Sequence, residues 1–128
     1  MKVAETYDIL ISVETEYISL QSHPEKGEYF FAYRIKIQNN SLDTVQLLRR
    51  NWFIVDSVHE IREVKGDGVV GLQPILDPGD SHTYRSGCIL QSEIGEMWGY
   101  YTFERQSTES LIKVDIPRFE LMVPWLSN

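Results

Sequence analysis

The sequence predicts an all-β fold, two antiparallel sheets packed face to face as a sandwich. Three observations lead there. Apolar side chains recur at every second position along most of the 128 residues, the period of a half-buried strand. Turn-forming clusters, Asn39-Asn40-Ser41 and Asp77-Pro78-Gly79-Asp80 among them, separate these stretches. No segment carries the spacing of a long amphipathic helix, and many short strands in a chain of this size resolve into two layers around one core.

The elements follow in order. Ile9, Ile11, Val13, Thr15 and Tyr17 share one parity and define a first strand. Residues 21–27 hold turn formers without periodicity and read as a loop. Tyr29, Phe31, Tyr33, Ile35 and Ile37 give the clearest strand, ended by Asn39-Asn40-Ser41. Residues 45–55 predict one strand with an irregularity near Arg49-Arg50-Asn51. Leu48, Trp52 and Ile54 point inward, and Arg50 shares their parity, which implies a strand end or a bulge. Asp56-Ser57 turns into a hairpin partner over 58–64. A glycine-rich loop spans 65–72, followed by a short apolar piece at 73–76 and the 77–80 turn, with Pro preset for its first central position and Gly free to take positive φ at the next. Residues 81–84 and 87–90 read as two short extended pieces. Along 97–103, Trp98 and Tyr100 face one way and Met97, Tyr101 and Phe103 the other. Ile112, Val114 and Ile116 line a final strand, Pro117 interrupts it, and Phe119, Leu121 and Val123 resume the alternation. Trp52 and Trp98 are assigned to the core.

Composition narrows the function classes. Lys and Arg total 12 against 19 Asp and Glu, a net charge of −7. That balance disfavours non-specific nucleic-acid binding, which needs cations to replace counterions along the phosphates. No apolar run approaches the ~20 residues of a membrane-spanning helix, and Met1 to Asp8 lacks the apolar stretch of a secretory signal. The expectation is one domain over residues 1–128, in the cytoplasm and away from the membrane. Cys88 is the single cysteine, which excludes an intrachain disulfide. The fibronectin type III form of the immunoglobulin-like sandwich is therefore the nearer analogue.

Several pieces taken together resemble the ApaG family: Gly66-x-Gly68-Val69-Val70-Gly71-x-Gln73-Pro74, Leu76-x-Pro78-Gly79, Tyr84-x-Ser86-Gly87-Cys88, Met97-x-Gly99-x-Tyr101 and Ile116-Pro117-x-Phe119-x-Leu121. Earlier stretches, Arg34-Ile35-x-Ile37-x-Asn39 and Leu47-Leu48-x-Arg50-x-Trp52, are similar to its first core strands. The resemblance covers nearly the whole chain. It implies a fibronectin-type sandwich of the stand-alone bacterial kind, whose relatives in larger eukaryotic proteins look like protein-interaction modules. It also implies a link to diadenosine tetraphosphate and to cobalt and magnesium physiology. Family members often carry glycine in the hairpin after the Trp strand, where this chain has Asp56-Ser57-Val58-His59.

Each chemical motif has a structural reading beside its functional one. Gly66, Gly68 and Gly71 spell Gly-x-Gly-x-x-Gly, which in dinucleotide-binding folds lets backbone amides approach a pyrophosphate at a helix N-terminus. Here Gln73-Pro74 and Pro78 follow, so the structural reading is a close crossing between two extended segments. The functional reading is a pyrophosphate or nucleotide held by Gly66, Gly68 and Gly71, with Lys65 adding charge. His23, His59 and His82 show no metal-ligand spacing, and Asp80 with His82 makes only two ligands. Cys88 reads as a buried structural thiol. Glu14 and Glu16 lie on one solvated strand face and Glu93/Glu96 have no reason to be buried, so no catalytic dyad is expected, and no resident metal or cofactor either. Aromatics occur at both parities of two strands (Phe30 and Phe31, Tyr100 and Tyr101), more than one inner face can hold. A loop, a terminal segment carrying Trp125, or a partner chain must cover the surplus. The expected role is non-enzymatic, binding another protein or a second copy through a sheet face or an edge strand.

Overall fold

The protein is described here by a computed structural model, which places residues 1–57 and 60–126. Among these residues nine strands form the expected sandwich of two antiparallel sheets: β1 (Lys2–Thr6), β2 (Ile9–Tyr17), β3 (Tyr29–Asn39), β4 (Val45–Asp56), β5 (Arg62–Asp67), β6 (Ile75–Leu76), β7 (Ser81–Leu90), β8 (Ile94–Arg105) and β9 (Leu111–Met122). One sheet has the order β1-β2-β3-β7. The other has the order β5-β4-β8-β9, with β6 on the same edge of β4 as β5. Three short 3-10 turns complete the described elements.

The strand alternation has the expected physical cause. Ile9, Ile11 and Val13 of β2 and Phe31, Tyr33, Ile35 and Ile37 of β3 are buried against Trp52, Met97, Tyr101, Phe103, Val114 and Phe119 of the facing sheet. Tyr33, Trp52 and Phe119 form an aromatic knot at its centre, with ring centroids 5.5–5.9 Å apart. The turn after β3 is pinned by Asn39. Its buried amide donates to the carbonyls of Asp43 (2.8 Å) and Leu76 (3.0 Å), and its Oδ1 accepts from the Ser41 backbone and hydroxyl. Every side-chain polar atom of Asn39 is thus satisfied, as burial demands.

Several details differ from the sequence reading, while the interruption of β9 at Pro117 agrees with it. β1 forms a hairpin with β2 through Tyr7 and Asp8, both at positive φ. That turn lacks the glycine that would have signalled it. The irregularity of β4 lies at Leu48, where the pairing with β8 shifts between Leu47 and Arg49. This bulge turns Leu47 inward in place of Leu48 and restores inward parity for Trp52 and Ile54. A second shift, between Met97 and Gly99 of β8, places two residues of β9, Pro117 and Arg118, opposite Trp98. Proline, with no ladder hydrogen to give, occupies the bulge. Residues 81–90 form one continuous strand rather than two pieces. Val58 and His59, at the start of the expected hairpin partner, lie outside the described residues; β5 itself spans Arg62–Asp67, into the stretch expected as loop.

The two sheets close along one side, where β1 and β2 pack on β9 and the Asp115 amide donates to Thr6 Oγ1 (3.2 Å). Along the other side the edge strands β5 and β7 leave a seam, bridged by Arg62, which donates to the Ile89 carbonyl (2.8 Å).

Candidate functional site

The glycine motif lies at one end of this seam, and its geometry follows from Arg50. Past the bulge Arg50 faces inward, opposite Gly66 in the β4–β5 register. Its Nη1 donates to the carbonyls of Asp67 (2.9 Å) and Gly68 (3.1 Å). A Cβ on Gly66 would stand 2.6 Å from the guanidinium; glycine there makes room for arginine. Gly68, at φ +62, has the Leu72 carbonyl where a side chain would start, and its amide donates to the Leu48 carbonyl (2.8 Å). The amides of Val69 and Leu72 bond each other's carbonyls (2.8 and 3.0 Å), with Val70 at φ +46 and Gly71 at φ +76 between them. Two positive φ values in succession define a type I′ turn. The segment from Gly71 to β6 contains no helix. Gly66, Gly68 and Gly71 thus serve respectively a guanidinium, a chain crossing and a turn, and the amides of Gly68, Val69 and Leu72 are engaged with carbonyls. Lys65 stands on the opposite face of β5 from Arg50, 3.4 Å from Glu63.

Beneath Arg50 lies a polar cluster inside the sandwich. The hydroxyls of Tyr84 and Tyr101 bond each other, and Tyr33 lies beside Ser86. Burial pushes all three phenols above the ordinary tyrosine range, with the Arg50 charge partly opposing it. The adjoining cleft, about 430 Å³, is lined by Tyr33, Trp52, Arg62, Val64, Ser86 and Cys88 among others. Cys88 is buried, with Arg62 Nη2 3.7 Å from its sulfur. Burial raises its thiol pKa and Arg62 opposes in part, so the thiol stays protonated near neutral pH.

A second surface is the outer face of the five-stranded sheet. Trp98, expected in the core, lies here half-buried, while Trp52 alone of that pair is inside. The parity of β8, unbroken from Met97 to Phe103, puts it there, opposite the buried Met97, Tyr101 and Phe103. Phe53 and Trp98 stack at 5.8 Å. Arg118 lies 4.1 Å over the Trp98 ring and is paired with Glu96. One row away Lys113 lies 4.8 Å over Tyr100. Trp125 does not cover these rings; it packs edge-on against Tyr17 and donates to Glu93. Phe30, the surplus ring of the other sheet, roofs Gly87 instead. The register aligns this outer face into rows across four strands: Asp67–Arg49–Thr102–Lys113, then Lys65–Asn51–Tyr100–Asp115, then Glu63–Phe53–Trp98 beside the bulge. Sequence reasoning missed this arrangement: it expected an irregularity in each of β4 and β9, but alternation does not say which residues of neighbouring strands pair.

Among the described residues no group of three or more His, Cys, Asp or Glu is placed to hold a metal ion. His23 sits 3.5 Å from Glu25 at the surface. His82 stacks on Tyr84, and its Nε2 is buried without a hydrogen-bond partner.

Comparison with known proteins agrees with this architecture. The model of the ApaG domain matches residues 19–105. A Protein ApaG of Brucella abortus (strain S19) is 45% identical over 124 residues, 97% of this chain and 95% of that one. The Protein ApaG of Brucella anthropi is 49% identical over 121 residues, covering 94% and 92%. Among solved structures, the crystal structure of an ApaA protein from Bordetella pertussis superposes with a TM-score of 0.87 at 39% identity, covering 92% of this chain and 95% of that one.

Proposed function

The chain belongs to the ApaG domain family, and from that premise we propose that it is a non-enzymatic binding domain. It docks another protein, in the cytoplasm, on the outer face of its five-stranded sheet. One observation carries this reading: the Phe53–Trp98 stack, with Arg118 laid on it, is half-exposed and covered by no loop or terminal segment among the described residues. Tryptophan and arginine at the centre of a flat face are the residue types that dominate protein interfaces. The antiparallel sheet supplies a rigid backing for them. The candidate nucleophile, Cys88, is buried beside an arginine rather than a base.

The test compares wild type with Trp98→Ala and with Ile89→Ser, a change on the other sheet. Affinity capture from the source cell and sedimentation of the purified chain are the readouts. Expected is one stoichiometric partner, or a self-association, retained by Ile89→Ser and lost in Trp98→Ala. Identical behaviour of all three chains would refute the assignment to this face.

A second reading, a pyrophosphate or nucleotide held near Gly66, Gly68 and Gly71 with Lys65, has one favourable observation. Lys65 and Gly66 line a hollow of about 390 Å³ that opens on the same outer face.

A further inference from the structure

We infer that this hollow is a binding site for a small phosphate-bearing anion, built by Arg49, Thr102 and Lys113 on the sheet surface. The inference goes beyond protein docking and stands if that reading fails. It narrows the second reading by moving the anion from the loop amides to three strand side chains.

The register supplies the first argument. Thr102 of β8 is paired directly with Arg49 of β4 on one side and with Lys113 of β9 on the other. Directly opposed residues on one sheet face have Cβ atoms about 4.5–5.5 Å apart. The Cβ atoms of Arg49, Thr102 and Lys113 therefore lie in one row, and all three residues line the hollow. The second argument is polar satisfaction. Thr102 is nine-tenths buried, yet its hydroxyl makes no hydrogen bond among the described residues, while it is not sealed from solvent as His82 Nε2 is. A donor left open between two cations is complementary to an oxyanion.

Charge gives the third argument. Asp67 is on the rim, opposite Arg49 in the register, yet neither Arg49 nor Lys113 has a carboxylate within ion-pair distance among the described residues. Lys65, from the next row, is held at 3.4 Å by Glu63. Two cations flanking Thr102 without a carboxylate partner leave positive charge over the hollow, which an anion would offset. Lys113 is steered into position by the Tyr100 ring, and Tyr100 and Asn51 wall the hollow. Phosphate suits this set better than a lone carboxylate, because it offers enough oxygens to bond a guanidinium, a hydroxyl and an ammonium together.

The test is a titration followed by backbone amide NMR at constant ionic strength, with inorganic phosphate, pyrophosphate and citrate as probes. Pyrophosphate is expected to saturate with a dissociation constant of about 1 mM or tighter, shifting Arg49, Tyr100, Thr102 and Lys113. Arg49→Gln with Lys113→Gln weakens it about tenfold or more, and the isosteric Thr102→Val a few-fold, whereas Ile89→Ser, on the other sheet, leaves it unchanged. Amide spectra of the weakened variants that match wild type away from the substituted positions serve as the folding control. Absence of saturable shifts overturns the proposal. So does binding that maps to the 68–72 amides and survives the Arg49/Lys113 change, or citrate binding more tightly than pyrophosphate.

Discussion

The two faces of the five-stranded sheet carry similar side chains and treat them in opposite ways. Inside, Trp52, Tyr101, Phe103 and Phe119 pack ring against ring with almost no water contact. Outside, Phe53, Trp98 and Tyr100 lie on the same strands, with Arg118 and Lys113 over the Trp98 and Tyr100 rings among the described residues. Aromatic content alone therefore does not identify a core. What separates the faces is the second layer: one has a facing sheet, the other has cations that can be displaced. An interior ring is committed to folding, whereas a half-exposed ring under a single surface cation remains available to a ligand.

The largest expected effect tests this division directly. Phe103→Ala opens a cavity in the dry face and should destabilise the protein by about 3–5 kcal/mol. Trp98→Ala removes a larger ring yet should cost about 1 kcal/mol, since its partners are partly solvated and its cation–π contact is weak at the surface. Urea unfolding of the two variants decides it; equal losses would erase the distinction and with it the argument that Trp98 is reserved for binding.

The rim where the inner face meets solvent offers a smaller contrast. Gly68→Ala must place a side chain at positive φ and against the Leu72 carbonyl, an expected loss of about 2–3 kcal/mol. Gly71→Ala meets only the φ cost, with nothing near the added carbon, about 1 kcal/mol. The difference would show that Gly68 and Gly71 have separate tasks although one motif contains both. Losses of equal size would mean that backbone conformation alone accounts for the pair.

Much of this was legible beforehand. The alternation along Ile9–Tyr17 and Tyr29–Asn39 gave those strands nearly to the residue, because each buries one parity against the facing sheet and no bulge intervenes. The resemblance to the ApaG family is matched by the similarity found to its members. Where a bulge does intervene the period fails. Leu48 shifts β4 and Pro117-Arg118 shifts β9, whereas Trp98 follows the unbroken period of β8 outward, so its assignment to the core comes from its ring and not from its parity. The glycine motif was read as a crossing of two extended segments, but its reason, the Arg50 guanidinium over Gly66, depends on a pairing 16 residues apart in sequence that no local pattern encodes. The anion hollow is further still from view, since Arg49, Thr102 and Lys113 meet only through two separate strand registers.

The finest contrast concerns the polar tips admitted to the inner face. Tyr84 and Tyr101 share one hydrogen bond between their hydroxyls, so removing one strands the other. Tyr84→Phe should cost about 1–2 kcal/mol, while the double change to Phe, which removes both polar tips, should return part of that loss. Their ionisation gives the same cycle a pH axis. Both phenols are raised in the folded state by burial, whereas in the unfolded chain they titrate near the ordinary value of about 10. The unfolded state releases protons first, so the stability these groups contribute is whole below pH ~10 and declines as pH rises through the range between the two states. Urea midpoints at pH 9, 10 and 11 should fall for the wild type and fall less for the double Phe variant. Parallel declines in both proteins would show that the pair ionises as freely as tyrosines in solvent, and that the inner face is wetter at this seam than its geometry indicates.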